Sequence, residues 1–204
     1  MERVIVNFGC GPCAPPGSIN VDGSLTVLLA RLPLPAALYG PKASLVRAMR
    51  KGRVKYGSAR RVRFEPASLD GFYASHVLEH MSRGQCADLL RRVRFWLKPQ
   101  GLLRVALPDL CLFVKRYATG ELNADKFVQM TNLAIDSRPP WQVALGHSHH
   151  RWMYDSESFS RLLTSLGYSS IKKCGYAESA LPELAALDAE AQRQDESFYV
   201  EAIP

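Results

Sequence analysis

The 204-residue sequence is short of several things, and each shortage excludes a class of protein. No apolar run is long enough to span a bilayer: the most apolar stretch, Leu25 to Leu38, is broken by Pro33 and Pro35 and falls below the roughly twenty residues required. Cysteine is sparse, five residues scattered along the chain, and an odd scattered set fits reduced thiols rather than a disulfide framework. Structural zinc needs clustered ligand pairs, and only Cys10 and Cys13 are close in sequence. Repeats and low-complexity tracts are missing, with linker-like composition confined to Pro33–Pro41 and Ser137–Pro140. A secretory leader is not expected, because Met1-Glu2-Arg3 runs directly into the strand-like Val4-Ile5-Val6. With 47% apolar and 22% charged residues, the expectation is one soluble, cytoplasmic domain over 1–204, with no membrane partner.

Acidic residues are scarce in one place. Residues 1–64 hold eleven Lys and Arg but only two acids, Glu2 and Asp22, whereas the remainder is nearly balanced, so the net +7 belongs to one segment. It concentrates in 42–63, where Lys42, Arg47, Arg50, Lys51, Arg53, Lys55, Arg60, Arg61 and Arg63 occur without an acid. Residues 24–52 read as a variable, basic, lid-like insertion. The charge suits either a solvated face or a surface that draws an anionic acceptor.

Hydrophobic patterning alternates between strand and helix. Arg3–Phe8, Ser18–Asp22, Arg53–Tyr56, Gly71–Ser75 and Leu102–Leu107 read as buried strands, the last apolar except for Arg104. Helices are predicted over 42–51, over Arg83–Leu97 ended by a Lys98–Gly101 turn, over 109–118 and 123–135, and from an Asp155 cap to Leu166. Tyr168–Tyr176 and Ser197–Ile203 are the final strands. Strands separated by helices imply an α/β fold with a mainly parallel sheet.

In such sheets ligands bind at the carboxyl ends of the strands, where strand order reverses. After the first strand stands Asn7-Phe8-Gly9-Cys10-Gly11, whose glycines let backbone approach a ligand; after the second stands Asp22, suited to ribose hydroxyls. The acid comes eleven residues after Gly11, and Pro12, Pro15 and Pro16 leave no room for a full helix. This disfavours a pyrophosphate cofactor but not a nucleoside. Cys10-Gly11-Pro12-Cys13 also matches the thioredoxin tetrapeptide, although Ala14-Pro15-Pro16-Gly17 blocks the helix that thiol–disulfide chemistry needs.

Several blocks in order resemble the class I S-adenosylmethionine-dependent methyltransferases, within them the small predicted-methyltransferase group carrying Ser-His-Val-Leu-Glu-His. They are Asn7–Gly11 with Ile19–Asp22, Leu69 through His80, Leu97–Gly101 leading to Leu107-Pro108-Asp109, His150–Tyr154, and Glu196–Ala202. The resemblance covers almost the whole chain. It implies a Rossmann-like fold with a seven-stranded twisted sheet, helices on both faces and the last strand antiparallel. It implies S-adenosylmethionine as cofactor, with Asn7, Gly9, Cys10 and Gly11 around its methionine part, Asp22 on the ribose, Ser58 and Ala59 at the adenine, and Ser75 and His76 beside the sulfonium. The sequence departs from the group at Ser58, near which an Asp is usual, at Asn7, where an acid is common, and at Ser18, where Trp is frequent.

Methyl transfer is an in-line displacement whose main demand is orientation, with a general base needed for a hydroxyl or protonated amine. His80 and His150 are the candidate catalytic residues; Asp109, His147, His149 and Tyr154 are expected on the acceptor side. His147-Ser148-His149-His150 is read as a loop rather than a metal site, since consecutive residues are strained as shared ligands, and no metal is expected. No Asn/Asp-Pro-Pro-Tyr/Phe follows the fourth strand, so a small-molecule acceptor, a sugar or another anionic metabolite, is favoured over nucleic acid. A nucleic-acid or protein methyltransferase using 42–63, and a cofactor-binding relative without turnover, are the alternatives.

Overall fold

The computed structural model describes residues 3–131, 149–191 and 193–204. Seven strands form one sheet: β1 (Ile5–Phe8), β2 (Ile19–Asp22), β3 (Lys55–Tyr56), β4 (Leu69–Ser75), β5 (Leu97–Pro108), β6 (Ser169–Cys174) and β7 (Ser197–Ile203), in the order β3-β2-β1-β4-β5-β7-β6. The first five run parallel to one another, while β7 runs antiparallel to both β5 and β6. β1 lies at the switch: the chain moves outward through β2 and β3, then returns to its other side as β4. The carboxyl end of β1 is therefore where the topology opens a crevice.

Alternation along the strands sorts side chains to two faces. Val6 and Phe8, Phe72 and Ala74, and Leu103, Val105 and Leu107 enter the larger core. Onto that face pack α3 (Arg83–Trp96), through Cys86, Leu89, Leu90, Val93 and Trp96, and α6 (Ser156–Ser165), through Phe159, Leu162 and Leu163. A capping box starts α3, where Ser82 and Gln85 satisfy each other's backbone N–H; losing such a cap costs about 1 kcal/mol. Asp155 caps α6 as the sequence indicated, and Gly167 follows with φ +84°. Ile5, Tyr73 and Leu102 face the other way, against Leu184 and Leu187 of α7 (Pro182–Ala191). Between β5 and α6 lie α4 (Leu110–Ala118) and α5 (Ala124–Thr131); the last four residues of the predicted 123–135 helix fall outside the described residues.

Several boundaries differ from expectation. Lys98–Gly101 is not a turn but the irregular beginning of β5, whose pairing with β4 slips between Leu69 and Gly71. The segment around 24–52 is folded: α1 (Leu25–Ala30), a 3₁₀ stretch Ala36–Lys42 and α2 (Ala43–Lys51) enclose a small core of Val27, Ala30, Val46 and Met49 that reaches Cys10. Its cations do not act alike. Arg50 donates to the carbonyls of Ala30, Leu32 and Leu34 and lies over the Tyr39 ring, so it braces the segment, while Arg47 and Lys51 are exposed.

The other element not foreseen is α7. Its inward stripe reads Leu184, Leu187, Asp188, Ala191, and the acid interrupts the apolar period. Asp188 is buried because it meets Arg104 of β5. All five guanidinium N–H directions are used: two go to Asp188, one to Glu201, and two to the carbonyls of Glu178 and Gly175. No helix among the described residues is long and apolar enough to cross a membrane.

Candidate active site

A cavity of ≈ 580 Å³ opens at the carboxyl ends of β1, β2 and β4, within the usual range for small-molecule sites. All nine residues expected to hold a cofactor line it: Asn7, Gly9, Cys10, Gly11, Asp22, Ser58, Ala59, Ser75 and His76.

The local backbone explains several of these choices. Gly9 has φ +70°, and a Cβ there would stand 2.5 Å from Val77 Cγ2, so both conformation and space demand glycine. Its N–H and that of Cys10 donate to the Val21 carbonyl, folding the loop back over β2. Asp22 is fixed by its own neighbours: Gly11 N–H donates to Oδ2 at 3.0 Å and Ser24 N–H to Oδ1 at 2.7 Å. Each oxygen keeps a lone pair, and the carboxylate is preorganised at the cavity edge. Asn7 braces rather than reaches, its Nδ2 donating to the Cys13 carbonyl and to Asn20 Oδ1. The Ser58–Val62 turn is held by Arg92 of α3, which donates to the carbonyls of Ala59 and Val62. Ser75 Oγ is buried without a hydrogen-bond partner, a polar atom available to a ligand.

Beyond β4 the chain makes a tight turn at Leu78–His80. His76 adopts φ +49°, uncommon for a non-glycine residue, with Nε2 2.7 Å from Ser197 Oγ. Burial holds it neutral, lowering its pKa to about 3. His80 lines the cavity, and its Nδ1 lies 3.0 Å from the His149 carbonyl. A carbonyl only accepts, so Nδ1 bears the hydrogen and Nε2 the lone pair. His150 stands behind it, ring centroids 5.1 Å apart, and burial lowers its pKa to about 4.

The sequence-expected acceptor residues are placed differently. Asp109 caps α4 by accepting from Cys111 N–H at 3.0 Å. Tyr154 is 2% exposed with its ring edge-on to Phe159, inside the large core. His149 contributes its carbonyl to His80, and His147 lies outside the described residues. None of Asp109, His149, His150 or Tyr154 lines the cavity; they belong to the layer behind His80. Sequence reasoning gave no role to Tyr73, Met81 and Arg193, which do line it, nor to Glu79. Only the His76-x-x-Glu79-His80 spacing hinted at the last.

Two further features concern the cysteine pair and metal ligation. Burial, reinforced by Asp22, pushes the Cys10 thiol far up, the reverse of the lowered pKa that thiol–disulfide exchange requires, and a short turn rather than a helix follows it. No metal-ligating group was expected, yet Glu79, His80 and His150 place one donor atom each within 4.8 Å of one another.

No protein-family model matches the sequence, and no curated protein matches it. Solved structures do match in fold. A suggested O-methyltransferase from Nostoc punctiforme is 13% identical with a TM-score of 0.54, covering 100% of this chain and 53% of its own. A SAM-dependent methyltransferase from Archaeoglobus fulgidus is 14% identical with a TM-score of 0.55, covering 99% and 86%. A phosphoethanolamine N-methyltransferase from Haemonchus contortus, solved with phosphomonomethylethanolamine and S-adenosylhomocysteine, is 14% identical with a TM-score of 0.52, covering 100% and 49%. The chain thus spans about half the length of the first and third. It has the Rossmann-like methyltransferase fold, and the names of these neighbours, on oxygen and on nitrogen, leave the acceptor atom open.

Proposed function

We propose that the chain is an S-adenosylmethionine-dependent methyltransferase acting on a small-molecule acceptor. The observation that carries this reading is the convergence of Gly9, Gly11, Asp22, Ser75 and His76 on one cavity at the switch point of a methyltransferase fold. Bound there, S-adenosylmethionine supplies a methyl carbon made electrophilic by its sulfonium.

The chain's own residues do the rest by orientation. Asp22, held by two backbone N–H groups, accepts from the ribose hydroxyls; Ser58 and Ala59 border the adenine; Ser75 and His76 border the methionine end. The acceptor enters on the side of His80, Met81 and Arg193. Its proton is accepted at Nε2 of His80, which burial keeps neutral. His150, packed against His80, acts as a positioning residue. The exposed Arg47 and Lys51 suit an anionic acceptor such as a phosphorylated sugar, and Ser75-His76-Val77-Leu78 in place of Asn/Asp-Pro-Pro-Tyr/Phe after β4 supports a small molecule over nucleic acid.

Calorimetric titration with S-adenosylmethionine and S-adenosylhomocysteine tests the reading. Binding is expected in the wild type, weakened by about 10–100-fold in Asp22→Ala, because a hydrogen bond to a charged group is worth about 1.5–3 kcal/mol. No binding at millimolar ligand overturns the proposal.

A further inference from the structure

We propose that Glu79, His80 and His150 form a binding site for a divalent cation of the first transition series, of the Zn²⁺ kind. The site uses none of the residues assigned to the cofactor and shares only His80 with the proposed acceptor side.

Three groups able to ligate a metal converge: Glu79 Oε1 and the imidazoles of His80 and His150. Nδ1 of His80 donates to the His149 carbonyl, and Nδ1 of His150 faces the Met153 sulfur at 3.2 Å, an atom that likewise carries no hydrogen. His80 Nε2 therefore presents a lone pair, and His150, whose ring also hydrogen-bonds to the Thr131 backbone, offers one on whichever nitrogen does not bear the hydrogen. The two Nε2 atoms point to the same oxygen, Glu79 Oε1, at 3.9 Å for His80 and 3.8 Å for His150, beyond hydrogen-bond length. His76 Nδ1 lies 3.7 Å from that oxygen as a further imidazole at the edge of the group.

Glu79 supplies the independent observation. Its side chain is 1% exposed, and neither carboxylate oxygen has a hydrogen-bond partner among the described residues. A buried carboxylate without partners is costly, and a cation among these lone pairs removes the cost.

The spacing fits a metal of this class. Bonds of about 2.1 Å in tetrahedral geometry put ligands roughly 3.4 Å apart, so the 3.9 and 3.8 Å Glu79–imidazole spacings contract by a few tenths of an ångström, while the imidazole–imidazole spacing, within 4.8 Å, closes by up to about 1.4 Å through side-chain rotation. Two imidazoles and one carboxylate suit zinc, iron or nickel rather than the all-oxygen shells of calcium and magnesium. The carbonyl holding His80 Nδ1–H is the partner that metal-bound histidines commonly have. The backbone also fixes the group: the Glu79 carbonyl accepts from Arg151 N–H at 2.7 Å and Trp152 N–H at 3.2 Å, tying the His149–Tyr154 segment to the Leu78–His80 turn. Because His80 lines the cavity, a cation there borders the space an acceptor would enter. If the cation is resident, the Nε2 proposed as base is a ligand instead.

The test is Zn²⁺ titration of chelator-stripped full-length protein, by calorimetry and by elemental analysis after dialysis, with Co²⁺ absorption reporting the ligand set. Wild type is expected to bind one equivalent of ion saturably, and Glu79→Gln and His150→Ala to weaken binding at least as much as the roughly 10–100-fold typical of lost outer partners. His149→Ala, which removes a ring outside the trio, should bind as wild type. Should Glu79→Gln fail to fold, loss in His150→Ala with Co²⁺ bands of imidazole coordination in wild type carries the same information. No binding by stripped wild type, or unchanged binding in both ligand variants, as when exposed Cys111 holds the ion, overturns the proposal. None of these readouts requires S-adenosylmethionine, so this failure is separable from failure of the methyltransferase reading.

Discussion

Two carboxylate clusters are buried in this protein, and they are built on opposite principles. Beneath one face of the sheet, Asp188 and Glu201 surround Arg104, whose five N–H groups all find acceptors; only Asp188 Oδ1 is left over. Behind the cavity wall, Glu79 faces the imidazoles of His80 and His150 and has no hydrogen-bond partner on either oxygen among the described residues. The first group is complete within the chain and holds α7 against β5. The second is incomplete without a proton or a cation from outside. A satisfied buried charge fixes structure, whereas an unsatisfied one marks a place where something else binds.

Removing one side of each cluster gives the largest contrast. Arg104→Met strands two carboxylates and should lower unfolding free energy by about 3–5 kcal/mol in urea denaturation. Equality with wild type would mean that the network is dispensable. Glu79→Gln in metal-stripped protein should change stability by less than about 1 kcal/mol, since no pairing is lost and the amide adds a donor toward the two Nε2 atoms.

The pH dependence of stripped protein sharpens the distinction. Burial raises Glu79 to about 8 from an ordinary 4.5, so its stabilising contribution is complete below 4.5 and is lost as pH rises through 8. Burial lowers His76 to about 3 and His150 to about 4 from 6.5, so theirs is complete above 6.5 and is lost as pH falls. Melting temperature should therefore rise between pH 4 and 6.5 and decline from 6.5 to 8. A decline that persists in Glu79→Gln would place its origin elsewhere. The smallest effect belongs to the exposed cations: Arg47→Ser with Lys51→Ser should alter stability by less than about 0.5 kcal/mol while flattening the salt dependence of turnover. Arg50 must be left in place, because its three carbonyl contacts make it part of the scaffold.

Much of the fold was legible because its signals are local. Ser197–Ile203 coincides with β7, Asp155 caps α6, and the strand-then-glycine pattern at Ile5–Gly9 marks the cavity floor. That the nine residues expected at the cofactor line one cavity has the same reason, as they sit on short strand-to-loop junctions whose backbone demands are written in neighbouring residues. What escaped was paired across the chain. α7 was hidden because Asp188 breaks its apolar stripe, a break that makes sense only beside Arg104, 84 residues earlier. Tyr154, expected at the acceptor, is core because Phe159 and Cys86 close over it.

The four consecutive residues His147 to His150 looked unable to share an ion, and judged as neighbours in sequence they are. The sequence by itself determined the succession of strands and helices, the glycine loop, Asp22 and the basic first third, all set by chemistry within a few residues. Only the tertiary structure decided that Glu79 and His80 face His150 across 70 residues, because backbone hydrogen bonds between those two segments, and no local pattern, bring these groups together.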